Sequence, residues 1–439
     1  MGFARKFLSA DGLLKVVRHS VGRAKLQTLI GTTYSWEDCV MSGLAIFGFK
    51  CASLLQFEGL KTNSMIRRNL SSLYGVQKAP SDTCLRERLD RVPYQELRSP
   101  FKKIFSYLQR GKALESYRYL DNHYIISLDG TGQFSSNAVH CKNCCEKHHR
   151  SGEVSYYHQM LGAVLVHPDK KVVIPLAPEP IIKADGATKN DCERNASKRL
   201  LQDLRREHPH LKIVIVEDSL ASNYPHLSLL DSLKMDYIIG VKPGDHKYLF
   251  DWIKDLKPST HQEIDQEGTQ HNFKYYHDVP LNDSNYDYRV NVIEYTETKK
   301  GKVQKFSWVS KIKVTEKNIF QLMRAARARW HIENETFNTL KNQGYHFEHN
   351  FGHGEENLCS VMTMLMMLAF LIDQVQQLCC LVYQKARQQV TRFGILFDLI
   401  RSFIELRVWK SFTELLQFVI DVRTESRAPP HESGWIATD

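Results

Sequence analysis

Three acidic residues stand where a carboxylate can do chemistry. Asp129 closes the apolar run Tyr124-Ile125-Ile126-Ser127-Leu128, and Asp218 closes Val214-Ile215-Val216-Glu217. Ligands of open α/β sheets bind beyond the carboxyl ends of strands, so an Asp at each of two such ends is placed for a site. Taken singly, each also reads as a loop start or a helix cap. The third acid is Glu333, in Arg329-Trp330-His331-Ile332-Glu333-Asn334-Glu335-Thr336-Phe337. On a regular helix Ala326, Trp330, Phe337 and Leu340 share one bulky face, and Glu333 falls on it. An ionised carboxylate on an inward face needs a partner or a metal. Glu335, roughly 200° further round, faces outward. The competing partner for Glu333 is Arg329, one helical turn earlier. Three inward carboxylates select hard divalent cations, Mg²⁺ or Mn²⁺. Two such ions ~4 Å apart can activate an attacking oxygen and stabilise a leaving oxygen at a phosphate.

A sheet must hold these residues. Strand-like runs cover 124–128, 160–166 and 171–175, the last two joined by His167-Pro168-Asp169-Lys170. A helix is expected over 190–207, with Cys192, Ala196, Leu200 and Leu204 as its apolar stripe. Runs over 212–216 and 237–241 follow, with Pro225 in the first turn of a short helix between them. Strand, strand, strand, helix, strand, helix, strand describes a mixed α/β sheet whose last strands are parallel and buried. That is the order of a ribonuclease-H-like core. Alternation at Tyr288, Val290 and Val292, and Phe306 and Trp308 about Ser307, predict a β-rich insertion over 245–315. One long helix over 318–342 then resumes the core. Residues 1–115 read as a basic helical DNA-binding domain, with a helix entry at Pro80-Ser81-Asp82-Thr83. Residues 116–375 read as the catalytic domain. Residues 376–439 read as a helical C-terminal region suited to dimerisation, ending in a polar tail.

The bulk properties fit. Lys and Arg number 59 against 49 Asp and Glu in 439 residues, a net charge of +10 that favours a polyanionic partner, nucleic acid first. With 42% hydrophobic and 25% charged residues the chain has the composition of a packed soluble protein. The first 30 residues lack a signal-peptide pattern, so the ten cysteines read as reduced cytosolic thiols. The apolar stretch from Leu358 to Ile372 is shorter than the ~20 residues a membrane span needs, and is expected to be a core helix.

Arg324 and Arg327 lie on a face away from the Trp330–Leu340 side, where they reach DNA phosphates or form a plain solvated surface. Lys242 follows the last core strand and offers another phosphate contact. The loop His140-Cys141-Lys142-Asn143-Cys144-Cys145-Glu146-Lys147-His148-His149 is dense in soft ligands. Cys141 and Cys144 have the C-x₂-C spacing of zinc knuckles, and His148 or His149 can supply a third donor. The two readings are structural Zn²⁺ bracing the loop beside Asp129, and a reduced exposed loop. Cys192, on its apolar stripe, reads as a core thiol. His346, His349 and His353 are given no chemistry.

Leu128-Asp129-Gly130, Val216-Glu217-Asp218 and Arg329-Trp330-His331-Ile332-Glu333 resemble the three signatures of bacterial insertion-sequence transposases of the DDE type. The likeness covers roughly residues 70–375. It implies a ribonuclease-H-like catalytic domain and two metal ions on Asp129, Asp218 and Glu333. It implies hydrolytic nicking at transposon ends and strand transfer of the freed 3′-hydroxyl into target DNA. Arg329 and Lys341 would hold phosphates, residues 1–115 would bind DNA ends, and a homodimer on paired ends would act in the bacterial cytoplasm, at the nucleoid. Two positions depart from the pattern: Ala326 stands where many relatives have Tyr, and Leu340 stands where they have Lys, with Lys341 one residue on. The competing readings are a ribonuclease-H-like nuclease or resolvase without strand transfer, and an inactive DNA-binding descendant.

Overall fold

The computed structural model describes residues 6–22, 33–186 and 189–425. The polar tail expected at the C-terminus, and the basic residues Arg5, Arg23 and Lys25, lie outside the described residues. The chain forms two compact units, Leu114–Thr339 and Met1–Ala113 with Leu340–Asp439. The N-terminal helices are α1 (Ala10–Val21), α2 (Trp36–Gly48), α3 (Leu54–Leu60), α4 (Ser64–Tyr74), α5 (Asp82–Asp90) and α6 (Arg98–Arg110). The first five begin after Ser9, Ser35, Ser53, Asn63 and Ser81, whose side chains accept a first-turn N–H that would otherwise lack a partner.

The second unit is built on one sheet. Its strands are β1 (Arg118–Tyr119), β2 (His123–Ser136), β3 (Cys145–His148), β4 (Val154–His167), β5 (Lys170–Pro175), β6 (Glu179–Ile181), β7 (Ile213–Glu217) and β8 (Asp236–Gly240). β4 runs antiparallel to β5 and to β2, while β2, β7 and β8 are parallel neighbours. Helix α7 (Lys189–Glu207) leads from the meander to β7, and α8 (Tyr224–Ser232) leads from β7 to β8. The order β5-β4-β2-β7-β8 with these directions is the ribonuclease-H-like arrangement. Every residue of β7 is buried, as expected of a central parallel strand covered on both faces.

Helix α9 (Lys247–Lys254) opens the insertion, followed by the meander β9 (Ser259–Ile264), β10 (Gln270–Pro280), β11 (Arg289–Lys299) and β12 (Lys302–Ser310). β12 pairs antiparallel with β8, Trp308 opposite Gly240 and Ser310 opposite Ile238. The insertion therefore continues the core sheet. Beyond it come α10 (Ile319–Arg327), a π-helical turn (Ile332–Phe337) and α11 (Asn338–Asn342). The single helix expected over 318–342 is thus broken. The Ser127 hydroxyl, from β2, donates to the Arg329 carbonyl at 3.2 Å, and the Ile332 N–H takes the same carbonyl as a tight 3.1 Å turn bond. A side chain inserted into the ladder is a standard cause of such breaks.

The C-terminal helices α12 (Leu358–Cys379), α13 (Leu381–Gln388), α14 (Phe393–Leu406) and α15 (Phe412–Glu425) join α1–α6 in the helical unit. This corrects the expected division into separate N- and C-terminal domains and a catalytic domain reaching residue 375. Buried polar groups far apart in sequence hold the unit together. The Asn69 amide donates to the carbonyls of Ile404 (2.7 Å) and Arg407 (2.8 Å) and accepts from the Trp409 N–H (2.8 Å). Lys50, fully enclosed, pairs with Asp373 at 2.7 Å over the rings of Tyr345 and Phe397. No sequence period announces such pairings. Helix α12 packs on α2 and α5 and is long and apolar enough to cross a membrane, but 89% of its apolar window is buried inside the unit, which makes it a core helix.

The start of α12 is held by Asp90. Its carboxylate accepts from the N–H groups of Glu355 (3.0 Å), Glu356 (3.0 Å), Asn357 (2.9 Å) and Leu358 (2.8 Å). Burial by itself would raise the Asp90 carboxyl; the four backbone donors outweigh it and hold the group below its ordinary 3.8. Asp90→Ala should cost about 1–2 kcal/mol at neutral pH, read as a lowered denaturation midpoint. Because the folded value is depressed, that stabilisation is present above 3.8 and fades as pH falls through the lower folded value. A variant with an unchanged midpoint at pH 7 would remove the cap from the account.

Candidate active site

The two aspartates come together through strand register. β2 and β7 pair in parallel from Tyr124 opposite Ile213 to Ser127 opposite Val216. Two residues further along the same direction are Asp129 and Asp218, on neighbouring chains spaced about 4.8 Å apart. β2 does not end at Asp129, as the sequence suggested, but runs on to Ser136 along β4, with a bulge between Gly132 and Phe134. Asp218 leaves β7 and accepts from the Leu220 N–H at 2.9 Å, capping a 3₁₀ turn. Its neighbour Glu217 turns the other way and is buried, bonded to His226 Nε2 at 2.6 Å. That pair fixes the backbone from which Asp218 projects.

Glu333 enters from the π-helical turn. One Arg329 nitrogen, Nη1, lies 2.7 Å from Glu333 Oε1 and 3.5 Å from Asp129 Oδ2, so the guanidinium sits between the two carboxylates. Arg329 is therefore both the pairing partner weighed against metal binding and a member of the same cluster. Burial raises the Asp129 carboxyl to about 7; the Arg329 guanidinium opposes that rise, while Glu333, Asp218 and Glu193 add to it by repulsion. Four acids thus share one neighbourhood. Glu193, near the start of α7, was missed from sequence, although its spacing to Ser197, Leu200 and Leu204 places it at the edge of the buried stripe. Its carboxyl lies so close to Gly130 that a Cβ there would stand 3.0 Å from it. Gly162, directly opposite Asp129 on β4, makes comparable room for Phe337: a Cβ would meet the Phe337 ring at 3.1 Å.

The helical-wheel reading of the glutamate segment needs correction. Ile332, Phe337 and Leu340 are buried, but Trp330 is 49% exposed, and Glu335 is half-buried near His331. A π turn shifts the phase of every residue beyond it, so a regular α-helical wheel does not carry across. Trp330 instead lines a cleft of about 710 Å³ that runs from Asp218 along β12, with Lys242, Lys274, Lys305, Arg327, Arg329, Phe306 and Trp308 on its walls. Phe306 and Trp308 lie stacked at 5.7 Å. Cations and flat rings in one groove suit a polyanion that carries bases.

The other expected DNA contacts are distributed differently. Lys242 is exposed at the cleft. Arg327 is ion-paired with Glu297 and lies over the Phe306 ring, and Arg324 is ion-paired with Asp169. Lys341 belongs to the helical unit and pairs with Glu348 at 2.8 Å. In the Cys/His loop, Cys141 and Cys144 meet His158 of β4, whereas His148 lies exposed on β3, 3.6 Å from Glu146. The histidine beside the two thiols thus comes from the neighbouring strand. In β3 the side chain of Cys145 turns inward and that of His148 outward, which only the sheet pairing decides.

The family model described as Transposase DDE domain matches residues 141–371. No curated protein matches the chain at a significant level. Among solved structures, that of the piggyBac transposase synaptic complex with hairpin DNA aligns over 98% of this chain and 82% of that chain, with 11% identity and a TM-score of 0.41. More than half of the sequence lies within the matched family model, and the chain belongs to the transposase DDE domain family.

Proposed function

We propose that the protein cuts DNA at the ends of a mobile element and joins the freed 3′-hydroxyl to target DNA. The observation that carries this reading is that Asp129, Asp218 and Glu333, from two neighbouring strands and one π turn, share one neighbourhood, with the Arg329 guanidinium between Asp129 and Glu333 and Asp218 acting on Asp129 by repulsion. Their donor set is all hard oxygen, and the Asp129 carboxyl, raised chiefly by burial and further by the repulsion of Glu333, Asp218 and Glu193, is one whose ionised form a divalent cation would stabilise. The residues fit two Mg²⁺ or Mn²⁺ ions, with the three carboxylates as ligands. Bound there, such ions supply activation of the attacking oxygen and stabilisation of the leaving oxygen in an in-line displacement.

The chain supplies positioning and charge. Arg329 holds Asp129 and Glu333 in fixed orientation and offers its remaining donors to a non-bridging phosphate oxygen. Lys242, Lys274 and Lys305 draw the phosphate backbone into the cleft, and the exposed Trp330 and the half-buried Phe306, backed by the buried Trp308, offer flat surfaces to bases. Arg324, Arg327 and Lys341 are a further supply of phosphate contacts once exchanged from their carboxylate partners. We place the homodimer on paired ends, at the bacterial nucleoid, as part of the same reading.

A labelled end fragment taken from the gene's flanks, incubated with a target plasmid, Mn²⁺ and the purified chain, should give a nick at the element's 3′ end and then a joined product. Nicking without joining would assign a nuclease; binding with no nicking would assign an inactive descendant. Either result overturns the proposal.

A further inference from the structure

We infer that Cys141, Cys144 and His158 form a structural Zn²⁺ site, separate from the carboxylate cluster. The three donor atoms lie within 4.8 Å of one another. The thiol sulfurs are 4.0 Å apart, and Cys141 Sγ is 3.4 Å from His158 Nε2. With Zn–S bonds of about 2.3 Å and a Zn–N bond of about 2.0 Å, the edges of a tetrahedron are about 3.8 Å between sulfurs and about 3.5 Å from sulfur to nitrogen. The observed edges match both. The same 4.0 Å separation is far too long for a disulfide between them.

The surroundings are those of a built site. Cys144 is buried, at 1% exposure, in a loop otherwise dominated by charged and polar side chains, and His158 of β4 is buried beside it, at 2%. The Cys141 N–H donates to Cys144 Sγ at 3.4 Å, and the Cys144 N–H closes a turn on the Cys141 carbonyl at 3.2 Å. An N–H aimed at sulfur favours the thiolate over the thiol. Two soft sulfurs and an imidazole select zinc over the hard cations that the carboxylates take. On binding, the two thiols lose their protons to solvent and His158 ligates in its neutral form. Water or a further side chain completes the fourth corner.

The metal would brace the far end of the β2–β4 ribbon. His158 stands opposite Phe134 in that ribbon, and Asp129 stands opposite Gly162 in the same pairing. Residues 137–144, which have no regular structure, connect β2 to β3. Clamping Cys141 and Cys144 to His158 ties this connection to the strand beside the one that carries Asp129. Nothing in the clamp touches the reacting phosphate, so its test does not depend on the transposase reading.

The full chain, purified under reducing conditions without added metal and analysed by elemental mass spectrometry, should carry about one zinc per molecule. Exchange for Co²⁺ should give thiolate charge-transfer bands and the intense visible bands of tetrahedral cobalt. Cys144→Ser and His158→Ala should each lose the metal, and His148→Ala should keep it. Limited proteolysis of the wild-type chain after treatment with a strong chelator should open new cleavage within residues 137–144. Should a variant fail to fold, the wild-type zinc content and cobalt spectrum still decide. A metal-free wild-type chain that gives no tetrahedral cobalt spectrum, or zinc loss in His148→Ala with retention in His158→Ala, would overturn the assignment.

Discussion

Glu333→Gln and Asp218→Asn should each abolish metal-dependent cleavage of end DNA, by at least about a thousandfold, while DNA affinity changes by no more than a few-fold. The reasoning starts from chemistry that only an anion can do. Gln and Asn keep the shape and hydrogen-bonding oxygen of the acids but remove the charge that holds a divalent cation. Misplacing one metal forfeits several kcal/mol of transition-state stabilisation, and every 1.4 kcal/mol is a factor of ten in rate. On the proposed function, affinity for DNA comes instead mainly from phosphate contacts to cleft cations such as Lys242, Lys274 and Lys305, which these substitutions leave in place. Removing an acid from a basic protein, if anything, tightens that binding. A gel-shift titration beside a cleavage time course separates the two effects. A variant that cleaves at a tenth of the wild-type rate, or one that loses binding in parallel with cleavage, would move that residue from metal ligation to structure.

How much of this was legible in the sequence depends on how local each determinant is. The core topology was, because β2, β4, β7 and β8 are apolar runs whose order alone restricts the pairing. The pairing of Asp129 with Asp218 followed from the same fact. The environment of Glu333 was not read correctly. The wheel that put it beside Trp330 assumed a regular helix, and the break depends on a bond from Ser127, some two hundred positions earlier. His148 and His149 were named and His158 was not, because the C-x₂-C motif draws attention to its own loop, while the imidazole that meets Cys141 lies on the strand paired with β3. The merging of the terminal helices into one unit rests on Asn69, Lys50 and Asp373, single polar residues whose partners lie hundreds of positions away. What the sequence withholds is long-range polar complementarity, which has no period.

Asp129→Asn should remove activity and yet make the metal-free protein more stable at pH 8. The folded carboxyl is raised to about 7 from an ordinary 3.8. A raised value means that the folded state holds the proton more tightly than the unfolded chain does. The stability linked to this group is therefore fully present below 3.8 and is lost as pH rises through about 7. Above that pH the wild-type protein carries an ionised carboxylate that burial, Glu333, Asp218 and Glu193 all disfavour, relieved only in part by Arg329. Asn carries no such charge. Its side chain is still about a quarter exposed, at 23% for the Asp, so solvent screens part of the effect, and the gain is about 1–3 kcal/mol. For a unit of this size that is a rise of roughly 2–6 °C in melting temperature at pH 8, shrinking toward zero near pH 4. Mn²⁺ should reverse the order, since an ion that binds only the folded wild-type site stabilises it by mass action and leaves the variant unmoved. Thermal melts of both proteins at two pH values, with and without Mn²⁺, test all three signs at once. If the variant melts below the wild type at pH 8 without metal, or if Mn²⁺ stabilises both alike, Asp129 is an ordinary structural acid. If the signs hold, the fold is giving up stability at this position to keep a negative site open, as expected where a carboxylate is retained for the cation it binds.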